Sequence, residues 1–238
     1  MAFTRTMLLS LTAALASTAA CGDDPAPVTI AGDAFFFNGG TGPDGRVVGA
    51  TVTLVEDPTR TVVTAAGGHF SLDGFAPGDQ ATLELAFANH HPIQTGTLTV
   101  GDAGLERVTF QVVHDAIYAN LADMLGITPD PARCQVVTTV TRIGKSLYDE
   151  GAHGEAGATV TLDPPLATEG PIYFNSSVFP ERGLTETSDD GGVLFLQVPV
   201  GDYTLTATKP GVTFRPVHIT CRAGFLVNAS PPWGLQAL

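Results

Sequence analysis

The chain has 238 residues, 44% hydrophobic and 15% charged, with 27 glycines and 17 prolines. This composition excludes a disordered chain and suits short strands joined by tight turns. With 24 acidic against 11 basic residues the formal charge is −13, which repels phosphate backbones and argues against nucleic acid as a partner.

Residues 1–20 read as an export signal. Arg5 supplies a basic start, Met7 to Ala16 form an apolar run too short to span a bilayer, and small residues lead to Cys21. Thr18-Ala19-Ala20-Cys21 resembles the lipobox of bacterial lipoproteins, in which the cysteine thiol receives a diacylglycerol and becomes the mature N-terminus. The resemblance implies lipidation at Cys21, membrane lipid as a partner, and a place on the bacterial cell envelope facing the periplasm or the exterior. Residues 21–27 then form a polar tether. A plain cleaved signal peptide is the alternative. No later apolar run is long enough to span, so the rest is expected in an aqueous, oxidising space.

The six-residue phrase Gly-Ala-Thr-Val-Thr-Leu occurs twice, at Gly49 to Leu54 and at Gly157 to Leu162. Each copy is followed by a double glycine, Gly67-Gly68 or Gly191-Gly192, and later by a Gly-Asp turn, Gly78-Asp79 or Gly201-Asp202. A repeated unit of this size predicts two modules, each with its own core.

The first module spans 28–104. Val28 to Ile30 and Phe35 to Phe37 read as strand. The glycine-rich stretch Asn38 to Gly45 lacks the Lys-Ser or Lys-Thr and the following helix of a phosphate-binding loop. Val52 and Leu54 alternate with threonines, as do Leu83, Leu85 and Phe87 with polar or small residues, the period of half-buried strands. The order GATVTL, then Gly-Gly-His-Phe-Ser-Leu, then Ala-Pro-Gly-Asp and a leucine-rich strand resembles the carboxypeptidase regulatory-like domain. That resemblance implies a prealbumin-like (transthyretin-like) β-sandwich. It implies little about function, because such modules are appended to many unrelated proteins.

A connector spans 105–133. Phe110, Val113, Ile117, Leu121, Met124 and Leu125 fall near helical spacing. The pattern predicts a helix over 110–125, capped by Thr109 and closed by Gly126, with Pro129 and Pro131 stopping it.

The second module spans 134–230, followed by a tail at 231–238. It opens on the β-branched strand Cys134 to Ile143 and carries an insertion, Asp163 to Thr187, that contains the aromatic stretch Ile172-Tyr173-Phe174. With Cys21 assigned to lipid, Cys134 and Cys221 remain, one opening the module and the other in its closing strands. In an exported sandwich they are expected to pair, stabilising by about 4 kcal/mol on the chain-entropy model.

The sequence carries no HExxH zinc motif and no GxSxG elbow, and no cofactor is expected. His90-His91 could hold a metal only if both faced one ion, which adjacent strand residues do not. Asp189 and Asp190 read as turn carboxylates, with calcium as the alternative. Tyr173, Phe179 and Trp233 are candidates for stacking on a sugar ring. The expected whole is mainly β, two tandem prealbumin-like β-sandwich domains joined by one α-helix. It is expected to be a non-enzymatic envelope lipoprotein with a structural or protein-interaction role, its partner an envelope protein or, alternatively, a glycan.

Overall fold

The computed structural model describes residues 26–37, 45–149, 151–166 and 168–238. The leader, Cys21 and most of the glycine-rich stretch lie outside them.

In chain order the first half contains β1 (Val28–Phe36), β2 (Thr51–Leu54), β3 (Asp57–Val63), β4 (His69–Phe75), β5 (Gln80–Ala81), β6 (Leu83–Ala86), β7 (Ile93–Thr95), β8 (Leu98–Thr99) and β9 (Phe110–Val112). Helix α1 (Asp115–Leu125) follows. The second half contains β10 (Arg133–Thr141), β11 (Thr159–Asp163), β12 (Glu169–Phe174), β13 (Pro180–Glu181), β14 (Gly192–Pro199), β15 (Gly201–Thr208), β16 (Val217–Cys221), β17 (Leu226–Asn228) and β18 (Leu235–Gln236).

The chain builds two β-sandwiches, each around its own core. In the first, the sheet β4-β1-β9 lies against β7-β6-β2-β3. Ile30, Phe70 and Phe110 from one layer meet Val52, Leu85 and Ile93 from the other, all buried. In the second, β11-β15-β16 covers β12, β14, β10 and β17, and Val160, Leu205 and Ile219 meet Val136, Phe195 and Val227. Each such side chain stabilises the fold by about 1.5–3 kcal/mol through the apolar surface it removes from water. The alternation Thr-Val-Thr-Leu places Val52 and Leu54 in one core and Val160 and Leu162 in the other.

The modules are fused through one long sheet, ordered β13-β12-β14-β10-β17-β7-β6-β2-β3. β17 is the joint, parallel to β10 on one side and to β7 on the other. Leu226 stands opposite both Ile93 and Gln135, and it packs onto the first core, while its neighbour Val227 sits in the second. Because successive residues point to opposite faces, the two cores lie on opposite sides of the shared sheet. Three contacts reinforce the joint. Gln94 Nε2 donates to Thr220 O at 2.7 Å, Thr97 N–H to His218 O at 2.8 Å, and Arg222 pairs with Glu84. Cys134 and Cys221 form the expected disulfide, tying β10 to β16 across the second core with their Cα atoms 5.7 Å apart.

Three expectations need correction. The helix expected over 110–125 begins only at Asp115, because Phe110–Val112 is β9, a strand parallel to β1 with Ala34 opposite Phe110. The spacing of Phe110 and Val113 fits a helix, but Phe110 and Val112 also fit a strand, and β1 offered a free ladder edge that satisfied their backbone. The first module therefore runs past 104 to about Val112. His114, not Thr109, caps the helix, its Nδ1 accepting from Ala116 N–H at 3.1 Å. The tail at 231–238 packs onto the second module. β18 pairs in parallel with β10, and Leu235 is fully buried, since Leu235 and Ala237 alternate with Gln236 as strand residues do.

Candidate binding groove

β14 reads Val-Leu-Phe-Leu-Gln-Val, apolar on both faces. Val193 and Phe195 enter the second core, so Leu194 and Leu196 face the other way, together with Ile172 and Val137. The β11-β15-β16 layer does not cover this outer face. α1 crosses part of it and lays Leu125 and Ile127 on Ile172, Leu194 and Leu196. Gly126 lets the helix stop there. At φ 69° its N–H reaches back to Ala122 O and Asp123 O, as expected of a C-terminal glycine.

What α1 leaves uncovered is an open groove of about 390 Å³. Val137 and Leu194 floor it, and Tyr118, Leu121 and Leu125 form the helical wall. The turn between β12 and β13 adds Val178 and Phe179, which are 55% and 54% exposed. Asn175 shapes that turn, its side-chain oxygen accepting from Ser177 N–H at 2.9 Å and Phe179 N–H at 3.2 Å. The turn holds Val178 at φ 65°, a left-handed conformation that is costly for a β-branched residue.

Where β14 begins, the groove ends in polar groups, Asp190 and His153. Asp190 Oδ2 accepts from Gly192 N–H at 3.0 Å. Burial pushes the Asp190 pKa up, opposed by that bond and by nearby His153. Gly192 makes the arrangement possible, since a Cβ there would stand 2.6 Å from Asp190 Oδ2 and 2.8 Å from the Phe174 ring. Among the described residues no ion pair involves Asp190, whereas its neighbour Asp189 approaches Arg142 at 3.6 Å.

The candidates read from the sequence do not gather in one place. Cys21 lies outside the described residues. Tyr173 is buried in the second core with its hydroxyl 3.1 Å from Val160 N–H, so its ring offers no stacking face. Trp233 is half-buried, with the Arg107 guanidinium 5.5 Å from its ring. Phe179 alone of the three lies at the groove. His90 and His91 diverge, His90 toward His114 at 5.0 Å between rings and His91 onto Tyr118 at 3.6 Å. Among the described residues no group of three or more His, Cys, Asp and Glu side chains is assembled as a metal site. Sequence reasoning missed the groove itself and Asp190 as its polar end. The available signal was the uninterrupted apolar run of β14, which marks a strand covered on both faces.

No protein-family model matches this chain, and no curated protein matches it significantly. Among solved structures, similarity is found to a type II cohesin–X-dockerin complex from Acetivibrio cellulolyticus. There 20% of residues are identical over 36% of this chain and 56% of that one, with a TM-score of 0.28. The Bacillus anthracis TIE protein shows 11% identity over 85% of this chain and 33% of that one, with a TM-score of 0.30. GBS52, the minor pilin of Streptococcus agalactiae, shows 10% identity over 89% and 96%, with a TM-score of 0.28. This chain thus spans about half of the cohesin–dockerin chain and a third of the TIE protein. Superpositions this loose carry no argument about function, and the β-sandwich architecture rests on the strands and cores of this chain itself.

Proposed function

We propose that this chain is a non-enzymatic binding protein of the bacterial cell envelope, anchored through an acylated Cys21, with the groove over the shared sheet as its binding surface. The two modules belong in this reading to the carboxypeptidase regulatory-like family and act as a rigid frame for the groove. The observation that carries the binding role is the groove itself. It is an apolar concavity within the range of about 300–1,000 Å³ typical of ligand sites, with a small polar end to orient what enters. The anchor is supported by the leader and the cysteine that follows it. Sugar stacking loses support, because only Phe179 of the three aromatic candidates lies at the groove.

Two measurements test this. The intact mass of the membrane-extracted protein should show loss of residues 1–20 and added acyl chains; an unmodified mature mass overturns the anchor. The mature chain with Cys21→Ser contains all described residues. It should bind the uncharged dye N-phenyl-naphthylamine, and Leu121→Arg on the helical wall should abolish that binding while the circular dichroism spectrum is kept. A wild-type chain that leaves the dye in water overturns the groove as a binding surface.

A further inference from the structure

Within the groove just assigned, the apolar walls and the acidic end differ sharply in what they demand of an occupant. Val137, Leu194, Leu121 and Leu125 offer no hydrogen bonds from their side chains. At the far end Asp190 presents a carboxylate of which Oδ2 accepts one backbone N–H, while no hydrogen bond to Oδ1 occurs among the described residues. Several polar side chains on the sheet face near the groove are engaged within the protein. Thr139 and Ser230 hydroxyls meet at 3.1 Å, Asn228 Oδ1 accepts from Ser230 N–H at 3.1 Å, and Gln135 Oε1 accepts from Gln197 N–H at 2.9 Å. Among the described residues that line the groove, Asp190 is the one acidic side chain, and it keeps the capacity to accept a further hydrogen bond.

We infer that the groove takes a small molecule with an apolar body and a cationic, hydrogen-bond-donating end, the cation resting on Asp190. This rests on the groove being the binding surface. Charge complementarity selects the end group. A carboxylate partly withdrawn from water gains most from a cation, and among the described residues no lysine, arginine or histidine pairs with it. His153 is the basic side chain lining that end, and it stands with Asp190 as a titratable neighbour rather than as an ion-pair partner. Arg142, nearby in the fold, is turned to Asp189. The conformation of the β12–β13 turn bears on the groove itself rather than on the charge of its occupant. It holds Val178 at positive φ and puts two apolar side chains in solvent at the groove, an arrangement that costs stability and serves no core.

The test uses three probes with one apolar body: decylammonium, decanol and decanoate, each below its micellar concentration. Binding to the mature Cys21→Ser chain is measured by calorimetry. Decylammonium should bind about tenfold or more tightly than decanol, the scale of a charge-assisted hydrogen bond, and decanoate more weakly than both. In Asp190→Asn, which keeps an acceptor for Gly192 N–H, decylammonium should fall to the affinity of decanol while decanol is unchanged. The chain's overall charge of −13 would attract any cation, so an ammonium preference that survives in Asp190→Asn belongs to that diffuse field and overturns the inference. Equal binding of decylammonium and decanol to wild type overturns it too, while leaving the groove as a binding surface. Should none of the three bind, the groove reading fails with it.

Discussion

Thr64 and Thr187 close the start of the two GATVTL strands with the same four hydrogen bonds. In the first module Gly49 N–H donates to Thr64 O, Thr64 N–H to Ala50 O, Ala50 N–H to Thr64 Oγ1, and Thr64 Oγ1 to Val47 O. In the second, Gly157, Ala158, Thr187 and Glu155 repeat the pattern atom for atom. Both threonines are almost fully buried, so their hydroxyls cannot fall back on water. Replacing either by valine keeps the volume but strands one N–H and one carbonyl. Each substitution should cost about 1–3 kcal/mol, and serine should restore most of it. Urea midpoints check this; a neutral valine variant would show that the clasp is incidental. His91 gives a pH-dependent prediction. Its Nε2 is buried without a partner and its ring stacks on Tyr118, whose own pKa burial raises to about 12. Burial lowers the His91 pKa, with Asp115 opposing, so the folded protein disfavours the proton that the unfolded chain takes up near 6.5. Its contribution is complete above that pH and is lost as pH falls below it. His91→Phe keeps the stacking and removes the titration. The drop in melting temperature between about pH 7 and pH 5 should therefore be shallower than in wild type, and an unchanged slope would count against this role.

At the scale of elements, the helix end gives the cleanest test. Gly126 sits at φ 69°, and nothing lies within 4 Å of the Cβ that alanine would add. Gly126→Ala therefore measures backbone strain alone. It should lose about 1 kcal/mol and Gly126→Asn less, read from denaturant midpoints. That glycine was legible in the sequence because helix termination is local chemistry. So were β2 and β11, where alternation fixes the buried face, and the disulfide, once Cys134 and Cys221 were expected to lie in one exported module. β9 was not legible. Its residues satisfy two periods, and the decision was made by β1, far away in sequence. The joint at β17 was hidden for a similar reason. Leu-Val-Asn carries no mark of lying in parallel between two strands from different modules, since parallel pairing is set by topology rather than by turn residues. Asp190 was read as a turn residue, and its Gly192 contact is indeed that of a turn. Its position at a groove follows from where α1 and the β12–β13 turn come to rest.

For the whole molecule, the shared sheet decides whether two modules behave as one. The Cys134–Cys221 bond closes a separation of 87 residues, for which the chain-entropy model gives about 4–5 kcal/mol of stabilisation. Both cysteines are fully buried, so the double variant Cys134→Ala, Cys221→Ala leaves little unsatisfied and mainly releases the unfolded chain. If the modules were beads on a string, only the second would weaken. Here β17 continues the sheet into β7, Gln94 holds Thr220, and Arg222 holds Glu84, while Tyr148 of the second module donates to Asp33 of the first at 3.1 Å. Unfolding the second module removes the strand that pairs with β7 and exposes the edge of the first. The first module should therefore lose stability along with the second. Trp233, the single tryptophan, reports on the second module by fluorescence, and amide hydrogen exchange in β1 and β6 reports on the first. In the double cysteine variant both signals should shift to lower denaturant together, by the same free energy. Continued protection of β1 and β6 after the Trp233 signal is lost would mean that the sheet joins the modules in space without joining their stabilities. The groove, floored by β10 and β14 and walled by the helix that leads from one module to the other, depends on that coupling for its shape.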